Sequence, residues 1–594
     1  MRKLIVVLSA ALLIGAAALV LAQNYALGPD SLPQAGVPKG AITKYKLEPG
    51  KYYPGTPHDY SVYVPAQYDP AKPTPFMIFF DGGGSINGGE HAPAVFDNLI
   101  AKHDLPPLIG IFIDPGVLPA VSDRAQNRFE RVFEYDSLSD RYANFLIDEL
   151  IPAVAGKYNL SKDPNDRGLV GGSTGAVCAF VAAWNRPDQF HRVISFIGTY
   201  VAMKGADAFP ALIRKTEPKP IRIYLQDGKH DHIVAAEPFG TFYAGSWPIN
   251  NQVMYEAFES AGYDVKLNIG EGGHDRKQAA AIMPEVLRWL WRDYPNPIVV
   301  HEPASMSQPG WDPRGKVYST VWADKPWEQV GESYPSVAGP TTDKDGNVYF
   351  AALAGNRIYK SDAERKVTVF KDYSDGPAAL AAGPDGRLYA SQLARKRIVS
   401  YGPGGDEKVV ANVEANGIAI TEKGAIYFAD SLHKTVGYID AGGKTRTVYS
   451  GGEIAQPSSV ALSPDQAMLI VADSQARFAW SFQIAPDGSL INGEPFYRLE
   501  MPETGWASGV QGVTEDSDGQ IYFATPLGIQ VCEANGRVAE ILNPPEHGGI
   551  SSVAFAGKDL NWLYVTEGGK VFRRPVKVKG NAPWAATKPP KPPL

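Results

Sequence analysis

The pattern of this chain changes once, near Pro295, and that change bounds what it can fold into. Before it, short apolar strands alternate with helical stretches. After it, a turn-then-strand unit recurs and the helical spacing is gone. The unit reads Asp345-Gly346-Asn347-Val348-Tyr349, Asp385-Gly386-Arg387-Leu388-Tyr389, Lys423-Gly424-Ala425-Ile426-Tyr427 and Asp518-Gly519-Gln520-Ile521-Tyr522. Looser copies lie over Asp465–Ile470 and Asp559–Tyr564. The first three copies start 40 and 38 residues apart. A glycine turn feeding alternating apolar residues signals a hairpin, and a period of about 40 residues is that of four-stranded propeller blades. Six copies predict an all-β, six-bladed propeller over residues 330–580.

The other half, residues 44–295, reads as an α/β domain. Strands are expected at Ser61–Val64, Phe76–Phe80, Leu108–Ile113, Gly168–Val170, Val193–Phe196, Ile221–Leu225 and Val265–Ile269. Between them, helical spacing marks Ser139–Tyr158, Thr174–Asn185, Gln252–Ala261 and Lys277–Arg292. Strands that are apolar throughout, alternating with helices, predict a mostly parallel sheet covered on both faces. Two domains also suit the length, since 594 residues exceed what one core organises. Residues 296–329 are expected to form the linker, and the Pro-rich stretch 581–594 an extended tail.

The first 22 residues read as an export signal. Arg2 and Lys3 precede an apolar run from Leu4 to Leu21, and small residues stand before a cut at Gln23. The expectation is a secreted or periplasmic protein, with retention of the segment as an anchor the competing reading. No other segment is long and apolar enough to span a membrane. Net charge is −7 and no Lys/Arg stripe occurs, which argues against a nucleic-acid partner. Cys178 and Cys532 fall in different domains and are expected as separate buried thiols.

Gly171-Gly172-Ser173-Thr174-Gly175 fits the G-x-S-x-G turn that lifts a nucleophilic serine above a sheet. Glycines alone make this pattern cheap in a chain with 60 of them. The setting carries it: Leu169-Val170 supplies a strand before, and Ala176–Trp184 a buried helix after. A serine hydroxyl needs a base, and the base an acid, and in this architecture the order is Ser, acid, His. Strand Ile221–Leu225 runs into Gln226-Asp227-Gly228-Lys229-His230-Asp231-His232, and strand Val265–Ile269 into Gly270-Glu271-Gly272-Gly273-His274. His274 is the expected base. Asp231 is favoured over Asp227 as the acid because it sits further beyond the strand end. His230 and His232 flank Asp231, but no compact set of further ligands makes this a metal site. Oxyanion donors are expected from the backbone of Thr174 and of Gly82 or Gly83 in Asp81-Gly82-Gly83-Gly84. This chemistry requires no cofactor.

With these motifs, residues 55–295 resemble the esterase D and enterochelin-esterase-like branch of the α/β-hydrolases. Phe79–Gly84, Gly171–Gly175, Leu225–Asp231 and Gly272-Gly273-His274 carry the resemblance, and Glu134-Tyr135-Asp136 also matches. It implies a serine carboxylic-ester hydrolase whose substrate is a small-molecule or carbohydrate ester, such as an acylated sugar or a siderophore ester. Residues 330–575 resemble the SMP-30/gluconolactonase/LRE propellers, through Gly339–Tyr359 and Val553–Thr566. That resemblance implies a divalent cation held by a Glu, two Asn and an Asp, and the alternative function of a metal-dependent lactonase. Here Ala338, Asn416, Ser458 and Gln511 stand at those four positions. Without either carboxylate, the propeller is expected to be a binding module and the chemistry to reside at Ser173.

Overall fold

The computed structural model describes residues 25–87, 89–232, 245–300, 320–582, 584 and 587–589. The segment read as an export signal, the middle of the expected linker and most of the far tail lie outside the described residues. The chain divides into two compact units, one of residues 1–214 and 218–313, the other of 215–217 and 314–594.

In chain order the strands of the first unit are β1 (Ala41–Leu47), β2 (His58–Val64), β3 (Phe76–Phe80), β4 (Ile109–Ile113), β5 (Val117–Leu118), β6 (Arg128–Phe129), β7 (Arg167–Gly172), β8 (Arg192–Phe196), β9 (Arg222–Gly228) and β10 (Asp264–Gly270). Eight of them form one sheet in the order β1-β2-β4-β3-β7-β8-β9-β10. Six neighbours, from β4 across to β10, run parallel, and β2 and β1 add an antiparallel edge. Strands β5 and β6 make a separate small hairpin.

Side-chain alternation explains why β3 is apolar throughout. Phe76, Ile78 and Phe80 enter one core with Leu146 and Phe180, while Met77 and Phe79 enter the other with Phe96 and Leu287. Burying each such side chain contributes about 1.5–3 kcal/mol. The long helix expected over Ser139–Tyr158 runs from Arg141 to Ala155 with one π turn at Leu146–Leu150. The helix before β10 begins at Trp247 rather than Gln252, with Pro248 in its first turn, where a missing N–H costs nothing. Strand β1 was not expected. Four of its residues in a row are exposed, so its apolar signal is weak and its pairing with β2 holds it in place.

The second unit is a six-bladed propeller. Five blades are consecutive four-stranded antiparallel sheets beginning at Val337, Ala379, Gly417, Pro457 and Gly512. In the sixth, the strands from Ile550 to Pro575 are joined by Glu328–Val330, which pairs with Lys570–Pro575. Adding an early strand to the last blade ties the beginning of the ring to its end. The repeated turn lies between the first and second strands of each blade. Its glycines at 346, 386, 424 and 519 have φ of +88°, +76°, +80° and +87°, a region that other residues enter only under strain. No helix among the described residues is long and apolar enough to cross a membrane.

Candidate active site

Strand β7 ends at Gly172, Ser173 follows with φ 59° and ψ −123°, and a buried helix starts at Thr174. A non-glycine residue held there stores strain and stands clear of both elements. Gly171 is what permits the turn: a Cβ on it would lie 2.0 Å from the carbonyl oxygen of Gly175. The loops after β9 and β10 bring Asp231 and His274 to the same end of the sheet, where open α/β sheets place their sites.

Ser173 Oγ lies 3.0 Å from His274 Nε2, and His274 Nδ1 lies 2.9 Å from each oxygen of Asp231. The ring therefore donates from Nδ1 to the carboxylate and accepts at Nε2 from the serine. Two partners that sequence reasoning missed extend this line. Thr199 Oγ1 is 3.1 Å from Ser173 Oγ, and the Trp247 indole N–H donates to Thr199 Oγ1 at 3.3 Å. With the serine proton directed at His274, the Thr199 hydroxyl donates to Ser173 and itself receives from Trp247, so each oxygen has one assigned hydrogen. No motif marks Thr199 or Trp247; the crossing of loops at the sheet end brings them in.

Asp227, the other candidate acid, does not reach His274. It is fully buried, its Oδ1 accepts from Gly228 N at 2.8 Å and its Oδ2 from Asn251 Nδ2 at 3.0 Å. Burial, and then the neighbouring Asp231, push its carboxyl far above the ordinary 3.8. Asp231 is also buried, which by itself raises it. Hydrogen bonds from His274 and Asp227 outweigh that and hold it below 3.8. The pair thus shares one proton, carried by Asp227, and Asp231 faces the imidazole as a carboxylate.

The glycine-rich stretch after β3 is a short helix, Gly82–Asn87, rather than an open loop. A Cβ at position 82 would come within 2.4 Å of the Phe112 backbone, so only glycine packs there. The Gly83 N–H donates to Asp114 Oδ1 at 2.9 Å. Thr174 opens the helix after the serine, and its Oγ1 accepts from Arg131 Nη1 at 2.7 Å. His230 is exposed beside Glu271, whereas His232 lies against His274 with ring centroids 4.8 Å apart and the rings tilted by 34°.

Two groups of three side chains among the described residues have donor atoms close enough for a metal: Asp231, His232 and His274, and Glu414, Asp430 and His433. In the first, both nitrogens of His274 are already taken by Asp231 and Ser173. In the second, Lys396 Nζ sits 2.8 Å from Glu414 and His433 Nδ1 2.7 Å from Asp430, so both carboxylates already have a partner. The propeller channel holds a cavity of about 200 Å³ lined by Asn416, Ser459, Gln511, Ser552 and Glu515, among others. Ser458 donates to Val510 O at 2.7 Å, and Asn416 Oδ1 accepts from Ser431 N at 3.0 Å, so both polar groups are committed to the scaffold. Glu515 is the one carboxylate among the described channel-lining residues, and loss of solvent pushes it up to about 8. These residues do not fit the four-ligand cation site of the propeller family.

Comparison with known proteins accounts for both units. The Esterase family model matches residues 53–290, and the SMP-30/Gluconolactonase/LRE-like region matches residues 337–569. Lactonase drp35 of Staphylococcus haemolyticus is 26% identical over 246 residues, covering 38% of this chain and 74% of that protein. Gluconolactonase of Zymomonas mobilis is 21% identical over 299 residues, covering 43% of this chain and 82% of that one. Among solved structures, the enterobactin esterase FES of Shigella flexneri is 17% identical, with a TM-score of 0.34, covering 44% of this chain and 62% of its own. The chain joins an α/β-hydrolase, esterase-like domain to an SMP-30/gluconolactonase-like six-bladed propeller.

Proposed function

We propose that this protein is an exported serine hydrolase of carboxylic esters. In this mechanism Ser173 Oγ attacks the ester carbonyl carbon while its proton passes to His274 Nε2. The resulting oxyanion rests on backbone N–H groups of Thr174 and of Gly82 or Gly83, of which Gly83 would first have to release or share its bond to Asp114. Collapse breaks the bond to the alcohol oxygen, which takes the proton from His274. Water then adds to the acyl-enzyme, gives its proton to His274, and frees the acid as Ser173 recovers its hydrogen. Asp231 holds the imidazole in the tautomer that this needs. The supporting observation is the unbroken hydrogen-bonded line from Ser173 through His274 to Asp231 on a strained strand-to-helix turn. Acylated sugars and siderophore esters are the substrate classes that the resemblance of residues 55–295 suggests. The propeller would then serve as a binding module.

A second reading makes the protein a metal-dependent lactonase seated in the propeller. The curated relatives favour it more directly than the first, since both carry lactonase names. Against it stand Ala338 and Gln511, where that site needs carboxylates. One experiment separates the two. Hydrolysis of p-nitrophenyl acyl esters, acetylated sugars, a trilactone siderophore and gluconolactone is measured on wild type, on Ser173→Ala, and on wild type with EDTA. Loss in Ser173→Ala with indifference to EDTA supports the serine reading. Survival in Ser173→Ala together with loss in EDTA establishes the other.

A further inference from the structure

The proposed oxyanion hole draws on two separate pieces of chain, the short helix after β3 and the helix after Ser173, and neither piece by itself sets the distance between them. Asp81 stands where they meet. It is the first residue beyond β3, with φ of +52°, a left-handed conformation that aspartate tolerates better than most residues. Its backbone N–H donates to the buried Tyr135 hydroxyl at 3.2 Å. Its carboxylate takes a two-pronged bond from Arg131, Nε to Oδ1 and Nη2 to Oδ2, both at 2.8 Å. The same guanidinium crosses to the other piece: Nη1 donates to Thr174 Oγ1 at 2.7 Å and Nη2 approaches Gly172 O at 3.4 Å. Arg131 therefore grips the residues on both sides of Ser173 while holding the start of the glycine stretch.

Arg276 binds the assembly from the other side. Its Nη2 is 3.5 Å from Asp81 Oδ2, and its Nη1 is 3.2 Å from the buried Glu90. The space that a side chain at Gly84 or Gly172 would take is bordered by this guanidinium, at 3.0 and 3.3 Å from the absent Cβ. Forked arginine–carboxylate pairs fix orientation as well as distance. Arg131 and Tyr135 lie on one short helix, Arg131–Tyr135, which runs into the Glu134-Tyr135-Asp136 stretch.

We propose that Asp81 is a positioning residue, and that through Arg131 it sets the spacing between the Gly82–Gly83 and Thr174 amides on which the oxyanion would rest. This rests on the serine mechanism proposed above. The group does not touch the reacting atoms, so its loss changes the stability of the tetrahedral state and not the capture of substrate.

A fluorophosphonate probe tests it without knowledge of the substrate. The Ser173 oxygen bonds to phosphorus, fluoride leaves, the serine proton passes to His274, and the phosphoryl oxygen occupies the oxyanion position. Labelling rates are measured for wild type, Asp81→Asn, Asp81→Ala and Arg131→Lys, each beside a thermal melt. Where an ester substrate turns over, kcat and KM are also separated. A misplacement of about 1 Å costs about 100-fold in rate. The expected result is a loss of about that size in Asp81→Ala and Arg131→Lys, with KM held within about twofold. Asp81→Asn, which keeps one oxygen for the fork, falls between. A folded Asp81→Ala that labels at the wild-type rate overturns the proposal, as does a loss that appears in KM alone. Should Asp81→Ala fail to fold, a folded Arg131→Lys that labels at the wild-type rate overturns it equally. Wild type that does not label at Ser173 refutes the serine mechanism itself, a different result from labelling that ignores Asp81.

Discussion

Gly171→Ala is the most exacting test of how this site is built. A Cβ at that position would lie 2.0 Å from Gly175 O, 2.2 Å from Gly175 C and 2.7 Å from Ala176 N. All three are backbone atoms in the first turn of the helix after Ser173, so no rotamer change relieves the overlap. Ordinary contact begins at about 3.5 Å, so the helix must retreat from the strand by more than about 1 Å. Overpacking of this kind costs about 1–3 kcal/mol of stability. The same shift moves Ser173 Oγ away from His274 Nε2, now 3.0 Å apart, and a displacement of about 1 Å is worth about 100-fold in rate. Gly172→Ala is the matched control, since its nearest new neighbour is the end of the Arg276 side chain at 3.3 Å, which can yield. The assay pairs thermal melts with fluorophosphonate labelling rates for both variants. Gly171→Ala is expected to lose stability and about 100-fold in labelling, and Gly172→Ala to stay within about tenfold of wild type. Equal behaviour of the two variants, or a Gly171→Ala protein that melts and labels as wild type does, would refute the close-approach argument.

The two acids of the β9 loop are expected to separate cleanly. Asp231→Asn reverses what His274 Nδ1 faces and should lower kcat by about 10⁴-fold, whereas Asp227→Asn should cost far less. Their pH signatures have opposite sign. Asp227 is raised in the folded state, so its contribution to stability is complete below pH 3.8 and is lost progressively as pH rises above that. Asp231 is lowered, so its contribution is present above 3.8 and lost as pH falls below it. Asp227→Asn should therefore raise the melting temperature at pH 8 more than at pH 4.5; a uniform shift at both would show that Asp227 carries no extra proton. Cys178 and Cys532 are both buried and unpaired, and burial raises both thiols. The native protein should react negligibly with a thiol reagent and expose both thiols on unfolding, and reaction of only one equivalent after unfolding without reductant would contradict this.

Much of the architecture was legible because local chemistry left few choices. Strands such as Phe76–Phe80 read as buried on both faces, and the structure splits their side chains between two cores. Glycine at the blade turns answers a positive φ, so the repeat itself predicts six blades. Where local signals were weak, the expectations fell short. The exposed edge strand β1 shows little apolar pattern, and three consecutive glycines at 82–84 read as a loop although they open a helix. Position 82 must be glycine because its backbone presses against Phe112, a contact that no local propensity reports.

The sequence by itself determined the two architectures, the turn that holds Ser173, and the order in which Ser173, an acidic loop and His274 follow one another. These depend on periodicity, on glycine's conformational freedom and on chain direction, all of which are written locally. Only the tertiary structure decided that Asp231 rather than Asp227 meets His274, that Thr199 and Trp247 stand behind Ser173, and that Arg131 ties Asp81 to Thr174. The physical reason is the same in each case. Those partners are set by where loops from different strands come to rest, and contacts across tens of residues leave no spacing in the chain to read.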